Sequence, residues 1–350
     1  MTQVGTVNGG AAVSVAFETR IAALLARAGI SGGALSIGIC SQGANNRIHR
    51  VQTANGVFAV KEYFRHADDP RDRLAAETAF LTYANDASPG TAPRLLASDG
   101  PSGLALLEFI PGRPIASGSV GAAQVDSAIA FFRDLNAPAS RSAAQLPVAA
   151  EATFSIGEQL ALIESRITQL LAVAPRSAAD AASLDLARRL SALWAQLAGG
   201  IRGRVRREPL DDGADYRCVS PSDFGFHNAL VTDAGRVRFI DFEYAGWDDF
   251  AKTAGDFFAQ VAVPVPIEHF EHFVRQCSEV LPAPAVAARR AILMRPAYQV
   301  KWCCIALNVF LPVHLARRRF ANPELDEDAL KLAQVAKAER IMAGIAQDAH

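Results

Sequence analysis

The 350-residue sequence has no surplus of charge of either sign, with 35 Lys and Arg against 36 Asp and Glu. It therefore offers no global positive field for a polyanion, and nucleic acid is not expected as a partner. Long hydrophobic runs are also missing. The most apolar late stretch, Trp302–Val313, contains Asn308 and Pro312 and is shorter than the roughly 20 residues of a bilayer-crossing helix. The first twenty residues have no basic start followed by an apolar block, so no secretory leader and no membrane association are expected, and the cytoplasm is the expected compartment. Cysteine is sparse and odd in number (Cys40, Cys218, Cys277, Cys303 and Cys304), with no C-x-x-C spacing. Reduced, mostly buried thiols are expected rather than a disulfide framework or a zinc site. Neither G-x-G-x-x-G nor G-x-x-x-x-G-K-[ST] occurs, which argues against a Walker-type nucleotide site, and no G-x-S-x-G or Cys/His hydrolase pattern is present.

Half of the residues are hydrophobic and a fifth are charged, the balance of a globular protein with a real core. Phe17, Ile21, Leu24, Leu25 and Ala28 recur at helical spacing, with Gly29 where a helix C-cap belongs. Strand-like runs follow at Leu35–Cys40, Ile48–Thr53 and Val57–Phe64, the last two joined by an Asn55-Gly56 hairpin signal. A helix is predicted over Arg71–Tyr83, then strand-like Leu95–Ala97 and Leu104–Phe109. Pro111-Gly112-Arg113-Pro114 interrupts the pattern and marks a boundary: residues 1–110 as an N-terminal region with a β-rich lobe, 111–350 as a helical lobe. Helical periodicity then dominates, one helix being ended by Gly199-Gly200. Strand-like Arg217–Val219, Ala229–Val231 and Val237–Phe242 break it. The expected class is α+β and bilobal, a small antiparallel sheet lobe followed by a larger, mainly helical one.

The chemistry concentrates between residues 218 and 244. Phosphoryl transfer to a hydroxyl needs a carboxylate to orient the acceptor, hard oxygen ligands for magnesium, and a cation for the phosphate oxygens. Asp223 precedes Asn228 by five residues, the D-x-x-x-x-N spacing of a kinase catalytic loop. The tight turn Thr232-Asp-Ala-Gly235 brings Asp241 back beside Asn228, so an amide oxygen and a carboxylate meet at one end of a hairpin. Taken singly, a loop cap, a turn residue and a strand end explain these three as well. In the small lobe Lys61 ends a strand-like run and Glu77 follows sixteen residues later in a helix, the pairing that holds a phosphate-contacting lysine.

The order Lys61, Glu77, Asp223, Asn228, Asp241 resembles the aminoglycoside phosphotransferase and choline kinase superfamily. The resemblance spans about 35–260 in outline and is specific around 57–81 and 217–256. It implies a protein-kinase-like fold and a transfer from ATP, with Mg2+, to a hydroxyl of a small molecule such as a sugar or amino alcohol. It assigns Asp223 as catalytic base, Asn228 and Asp241 as metal ligands, and Lys61, held by Glu77, as phosphate contact. Gly43 to Asn46, Asn45 among them, would lie over the nucleotide, and the backbone from Glu108 to Ile110 would meet adenine. Asp256 resembles an Asp that starts a helix, for which a structural role is expected. The family's usual His-Gly before the catalytic Asp is Pro221-Ser222 here. A non-catalytic nucleotide or ligand binder and an antibiotic-inactivating kinase are the rival expectations.

Asp241-Phe-Glu243-Tyr244, followed by Trp247-Asp248-Asp249, offers an aromatic with carboxylates to a cationic acceptor, or else a core residue and a helix start. Arg202, Arg204, Arg206 and Arg207 are expected in a solvated loop. His269 and His272 are expected on the flank of a helix rather than as zinc ligands. Arg295, Tyr298, Lys301 and Trp302 are candidates for the acceptor pocket, although helical periodicity puts two of them in the core.

Overall fold

A computed structural model describes residues 15–34, 36–42, 46–65, 71–208, 210 and 216–348. Helix α1 (Val15–Arg27) gathers Phe17, Ile21, Leu24 and Leu25 on one face and is followed by Gly29 in the left-handed conformation, φ +71°. Strands β1 (Ser36–Gln42), β2 (Arg47–Thr53) and β3 (Gly56–Glu62) form an antiparallel meander; the β2–β3 turn is Ala54-Asn55, one residue before the expected Asn55-Gly56, and Gly56 pairs with Thr53. Helix α2 (Arg73–Ala87) begins at Asp72, whose carboxylate accepts from the Ala75 N–H at 2.9 Å. Strands β4 (Leu95–Asp99) and β5 (Leu104–Glu108) complete a five-stranded antiparallel sheet of order β1-β2-β3-β5-β4. Side chains alternate across β5, so Leu104 and Leu106 pack with α1 while Ala105 and Leu107 join the core that contains α2. Burial on both faces explains why β5 reads as an unbroken apolar run.

The second lobe begins with β6 (Arg113–Pro114), α3 (Ala122–Asn136), α4 (Pro138–Ala143), α5 (Ile156–Leu171) and α6 (Ala178–Arg207). Contrary to the sequence expectation, α6 continues through Gly199-Gly200, and Arg202, Arg204, Arg206 and Arg207 lie on a helix rather than in a loop. The buried stripe Leu186, Leu190, Trp194, Ala198, Ile201 runs past the glycines. Tertiary burial along it outweighs the cost of about 1 kcal/mol per glycine.

Strand β7 (Arg217–Ser220) pairs with β10 (Gly246–Asp249), a strand whose Gly-Trp-Asp-Asp carries no sequence signal. Strands β8 (Ala229–Val231) and β9 (Val237–Phe239) form the expected hairpin, joined by β6 into a three-stranded sheet. The expected strand to Phe242 stops at Phe239. Helices α7 (Phe250–Ala259), α8 (Phe270–Ser278), α9 (Pro284–Leu307), α10 (Pro312–Ala321) and α11 (Glu327–Asp348) close the lobe, with α9 packed against α5, α6, α7, α8 and α11.

Cys218, Cys277, Cys303 and Cys304 are buried free thiols and Cys40 an exposed one. His269 closes a 3-10 turn and His272, on α8, meets Asp126. Among the described residues, no single helix is long and apolar enough to cross a membrane.

Candidate active site

Lys61 is the meeting point of the two lobes. Its strand is central in the sheet, its ammonium is only 3% exposed, and it lies 2.5 Å from both Glu77 Oε2 and Asp241 Oδ1. Glu77, 1% exposed on α2, also accepts from the Tyr63 hydroxyl at 2.7 Å and from the Phe242 N–H at 3.1 Å. Burial alone would lower the Lys61 ammonium, but Asp241 and Glu77 drive it well above its ordinary value, so it stays charged. Asn46 adds a second bridge, donating to Glu243 Oε2 at 2.8 Å and accepting from the Phe64 N–H at 3.3 Å. Burial, followed by Asp241, raises the Glu243 carboxyl.

The segment that carries Asp223 leaves β7 through Pro221 and Ser222, the latter at φ +65°. Its backbone is held where the family motif has His-Gly. Ser222 N–H donates to Ser220 Oγ at 3.0 Å, and Lys252 Nζ donates to Ser222 Oγ at 3.0 Å and to Asp248 Oδ2 at 2.6 Å. Phe224, Phe226, Phe239 and Phe242, which flank Asp223 and Asp241 in sequence, pack on Phe131 and Phe257 beneath the loop. Such pairs contribute about 0.5–1.5 kcal/mol each beyond burial and fix the polar residues between them.

Asp223 keeps a third of its side chain exposed. His227, four residues on, reaches Asp223 Oδ1 through Nε2 at 3.2 Å, and Asn228 Nδ2 donates to the Asp223 carbonyl at 3.0 Å and carboxylate at 3.2 Å. Burial would raise the Asp223 carboxyl, yet His227 and then Asn228 hold it below its ordinary value. The same contact, against burial, raises His227. Sequence reasoning missed His227, because its contact depends on the 3-10 turn Phe226–Asn228.

Asp241, at φ +68°, is 34% exposed. The Ile240 N–H bonds to the Asn228 carbonyl at 2.9 Å, so Asp241 follows directly on the residue facing Asn228 across the hairpin. Because the Asn228 amide nitrogen is committed to Asp223, its Oδ1 is the atom left for a cation. A carboxylate and an amide oxygen are the hard donors magnesium takes. Among the described residues there is no cluster of three or more His, Cys, Asp or Glu that could hold a metal ion.

Of the other candidates, Gly43 and Asn45 lie outside the described residues. The Glu108 carboxylate is tied to Arg238 at 3.1 Å and to the Arg94 N–H at 3.1 Å, while its own N–H bonds to Arg94; Ile110 is buried just beyond. Asp248 and Asp249 do not form an acceptor-facing acidic patch with Trp247. Both are fully buried, Asp248 on Lys252 and Asp249 on Arg290, and burial raises Asp248 to about 6. It is Asp249 that caps α7, accepting from the Ala251 N–H at 2.7 Å. Asp256 is therefore not a helix start; it sits inside α7 and binds Lys301 (2.7 Å) and Trp302 Nε1 (2.9 Å). Lys301 and Trp302 line a cavity of about 380 Å³ that also contains Asp223 and His227. Tyr298 is core, packed on Gly255, and Arg295 lies over Phe270.

Solved structures share this architecture. The choline kinase LicA from Streptococcus pneumoniae superposes with TM-score 0.58 at 17% identity, covering 91% of this chain and 96% of that one. A choline kinase from Cryptosporidium parvum gives 0.55 at 12%, covering 90% of each chain. The macrolide 2'-phosphotransferase MphH from Brachybacterium faecium gives 0.51 at 17%, covering 88% and 99%. At these identities the likeness is one of fold. No curated protein matches the chain. The model of the phosphotransferase enzyme family matches residues 36–260, and the chain belongs to that family.

Proposed function

We propose that the protein transfers the γ-phosphoryl group of ATP to a hydroxyl of a small molecule, with residues 1–110 holding the nucleotide and 111–350 supplying catalysis and the acceptor site. The observation that carries this is that the Lys61–Glu77–Asp241 network adjoins the Asp223 loop, Ile240 bonding to Asn228 and Asn228 to Asp223, whose partly open carboxylate lines a cavity. Lys61 neutralises phosphate oxygens. The Glu108 carbonyl and Ile110 N–H meet the base. Asp241 and Asn228 Oδ1 would hold Mg2+, which when bound neutralises charge on the phosphate oxygens.

Asp223 accepts the acceptor hydroxyl's hydrogen bond and aims its oxygen at phosphorus. A carboxylate held below its ordinary value is a weak base, so the proton moves late, once the new O–P bond has acidified that oxygen and the bond to ADP has broken. Lys252 and Ser222 brace the loop in place of the family's His-Gly, which supports catalysis over mere binding.

The test is a pair of variants. Asp223→Asn is expected to lose about 10²–10⁴-fold in turnover with ATP affinity retained. Asp241→Asn is expected to lose magnesium-dependent ATP binding as well. ADP release and calorimetry separate the two, and near-wild-type turnover in Asp223→Asn overturns the assignment.

A further inference from the structure

The wall of the cavity beside Asp223 carries cations from five helices, and Arg71 as well. Three of them are answered by carboxylates: Arg166 by Glu151, Lys252 by Asp248 and Lys301 by Asp256. Beyond these, α10 brings His314, Arg317 and Arg318 and α11 brings Lys337 to the same wall. Arg317 donates to the Tyr244 hydroxyl at 3.2 Å. Among the described residues, no carboxylate pairs with Arg318, His314 or Lys337, although each is partly withdrawn from solvent.

The groups act on one another. Burial and then Arg317 and Arg166 push His314 down to about 4. Burial and then Arg317 lower Arg318, and burial and then Arg318 lower Lys337. Clustered like charges in a half-buried space oppose one another, and a bound anion relieves that opposition. The same field repels an ammonium or a polycation. Besides Asp223, the carboxylates that line the cavity, Glu151 and Asp256, are paired with Arg166 and Lys301, and Asp248 and Asp249 are sealed in the core. Trp302, Ile305 and Val309 give the cavity an apolar side, and its volume suits a small metabolite.

We infer that the acceptor carries an anionic group, a carboxylate or a phosphate, in addition to its hydroxyl, and that Arg318 and Lys337 bind that group while Asp223 receives the hydroxyl. The inference rests on the proposed kinase reading for the hydroxyl's position; the charge preference of the cavity stands apart from it.

The experiment offers purified full-length protein, with Mg-ATP, three sets of hydroxylated probes. Glycerate and ribose 5-phosphate are anionic, glycerol and ribose neutral, choline and ethanolamine cationic. Binding is read by calorimetry and turnover by ADP release. Anionic probes are expected to bind best, with glycerate against ribose 5-phosphate telling carboxylate from phosphate. Arg318→Ala and Lys337→Ala should each raise KM or Kd for the anionic probes about tenfold or more, while kcat falls less and the KM for ATP stays put. Equal or better binding of neutral or cationic probes overturns the inference. So does a variant effect confined to ATP, or an absence of both binding and turnover with the anionic probes. Anion binding that is lost in the variants but is accompanied by no ADP release upholds the inference and removes the kinase reading alone.

Discussion

At the scale of single residues, Lys61 has two duties that a substitution cannot separate. It is the cation proposed for the phosphates, and it neutralises Glu77, a carboxylate with almost no access to water. Removing one partner of a buried pair costs roughly 3–5 kcal/mol. Lys61→Ala is therefore expected to lower Tm markedly as well as to impair ATP use; unchanged ATP kinetics in folded protein would refute the nucleotide role. The Asp223–His227 contact leaves a signature in pH. His227 is raised above 6.5, so its contribution to stability is complete below 6.5 and fades as pH rises through the folded value. Asp223 is lowered from 3.8, so its contribution is present above 3.8 and fades as pH falls through the folded value. The stability difference between wild type and His227→Gln should thus be largest between about pH 4 and 6.5 and shrink toward pH 9. A difference that is flat in chemical denaturation across that range speaks against the contact. Lys61, Glu77 and Asp223 were legible in sequence because their spacing is local. His227 was not, and neither were Arg318 and Lys337, because helices α10 and α11 bring them to the cavity without any motif.

At the scale of elements, two helical glycines have opposite meanings. Gly200 is exposed inside α6, and a Cβ there meets nothing within 4 Å. Gly200→Ala is expected to stabilise the fold by about 0.5–1 kcal/mol in urea denaturation. Gly255 lies where α7 crosses α9, and a Cβ there would sit 2.2 Å from the Tyr298 ring. The ring is itself fully buried, so Gly255→Ala should destabilise by about 1–3 kcal/mol or more through overpacking. Equal effects at both sites would mean that the α7–α9 contact is looser than described. The sequence predicted a helix end at Gly199-Gly200 because glycine is a weak helix former, and it missed the long-range burial that carries α6 onward. The β-rich lobe was easier to read, because alternation, an Asn-Gly turn and a capped helix are short-range signals.

At the scale of the whole molecule, the expected order of a sheet lobe and a helical lobe is observed, and the gaps in that expectation lie where distant segments meet. Strand β10 has no pattern of its own and exists because β7 offers it a partner. The acidic run Asp248-Asp249, expected to face a cationic acceptor or to start a helix, is core in space, neutralised by Lys252 one turn on and by Arg290 from α9. The junction at Lys61 has a further consequence. Glu77 and Tyr63 from one lobe, and Asp241 and the Phe242 N–H from the other, converge on one buried cluster, with Asn46 and Glu243 beside it. Melting either lobe first would strand ionised groups of the other in a water-poor interior. The two lobes are thereby made to share one unfolding event, and scanning calorimetry should show a single endotherm whose van't Hoff and calorimetric enthalpies agree. Weakening the cluster by Glu77→Gln should broaden or split that peak before it abolishes folding, so the cooperativity of the chain is set largely at this inter-lobe polar cluster rather than in either hydrophobic core.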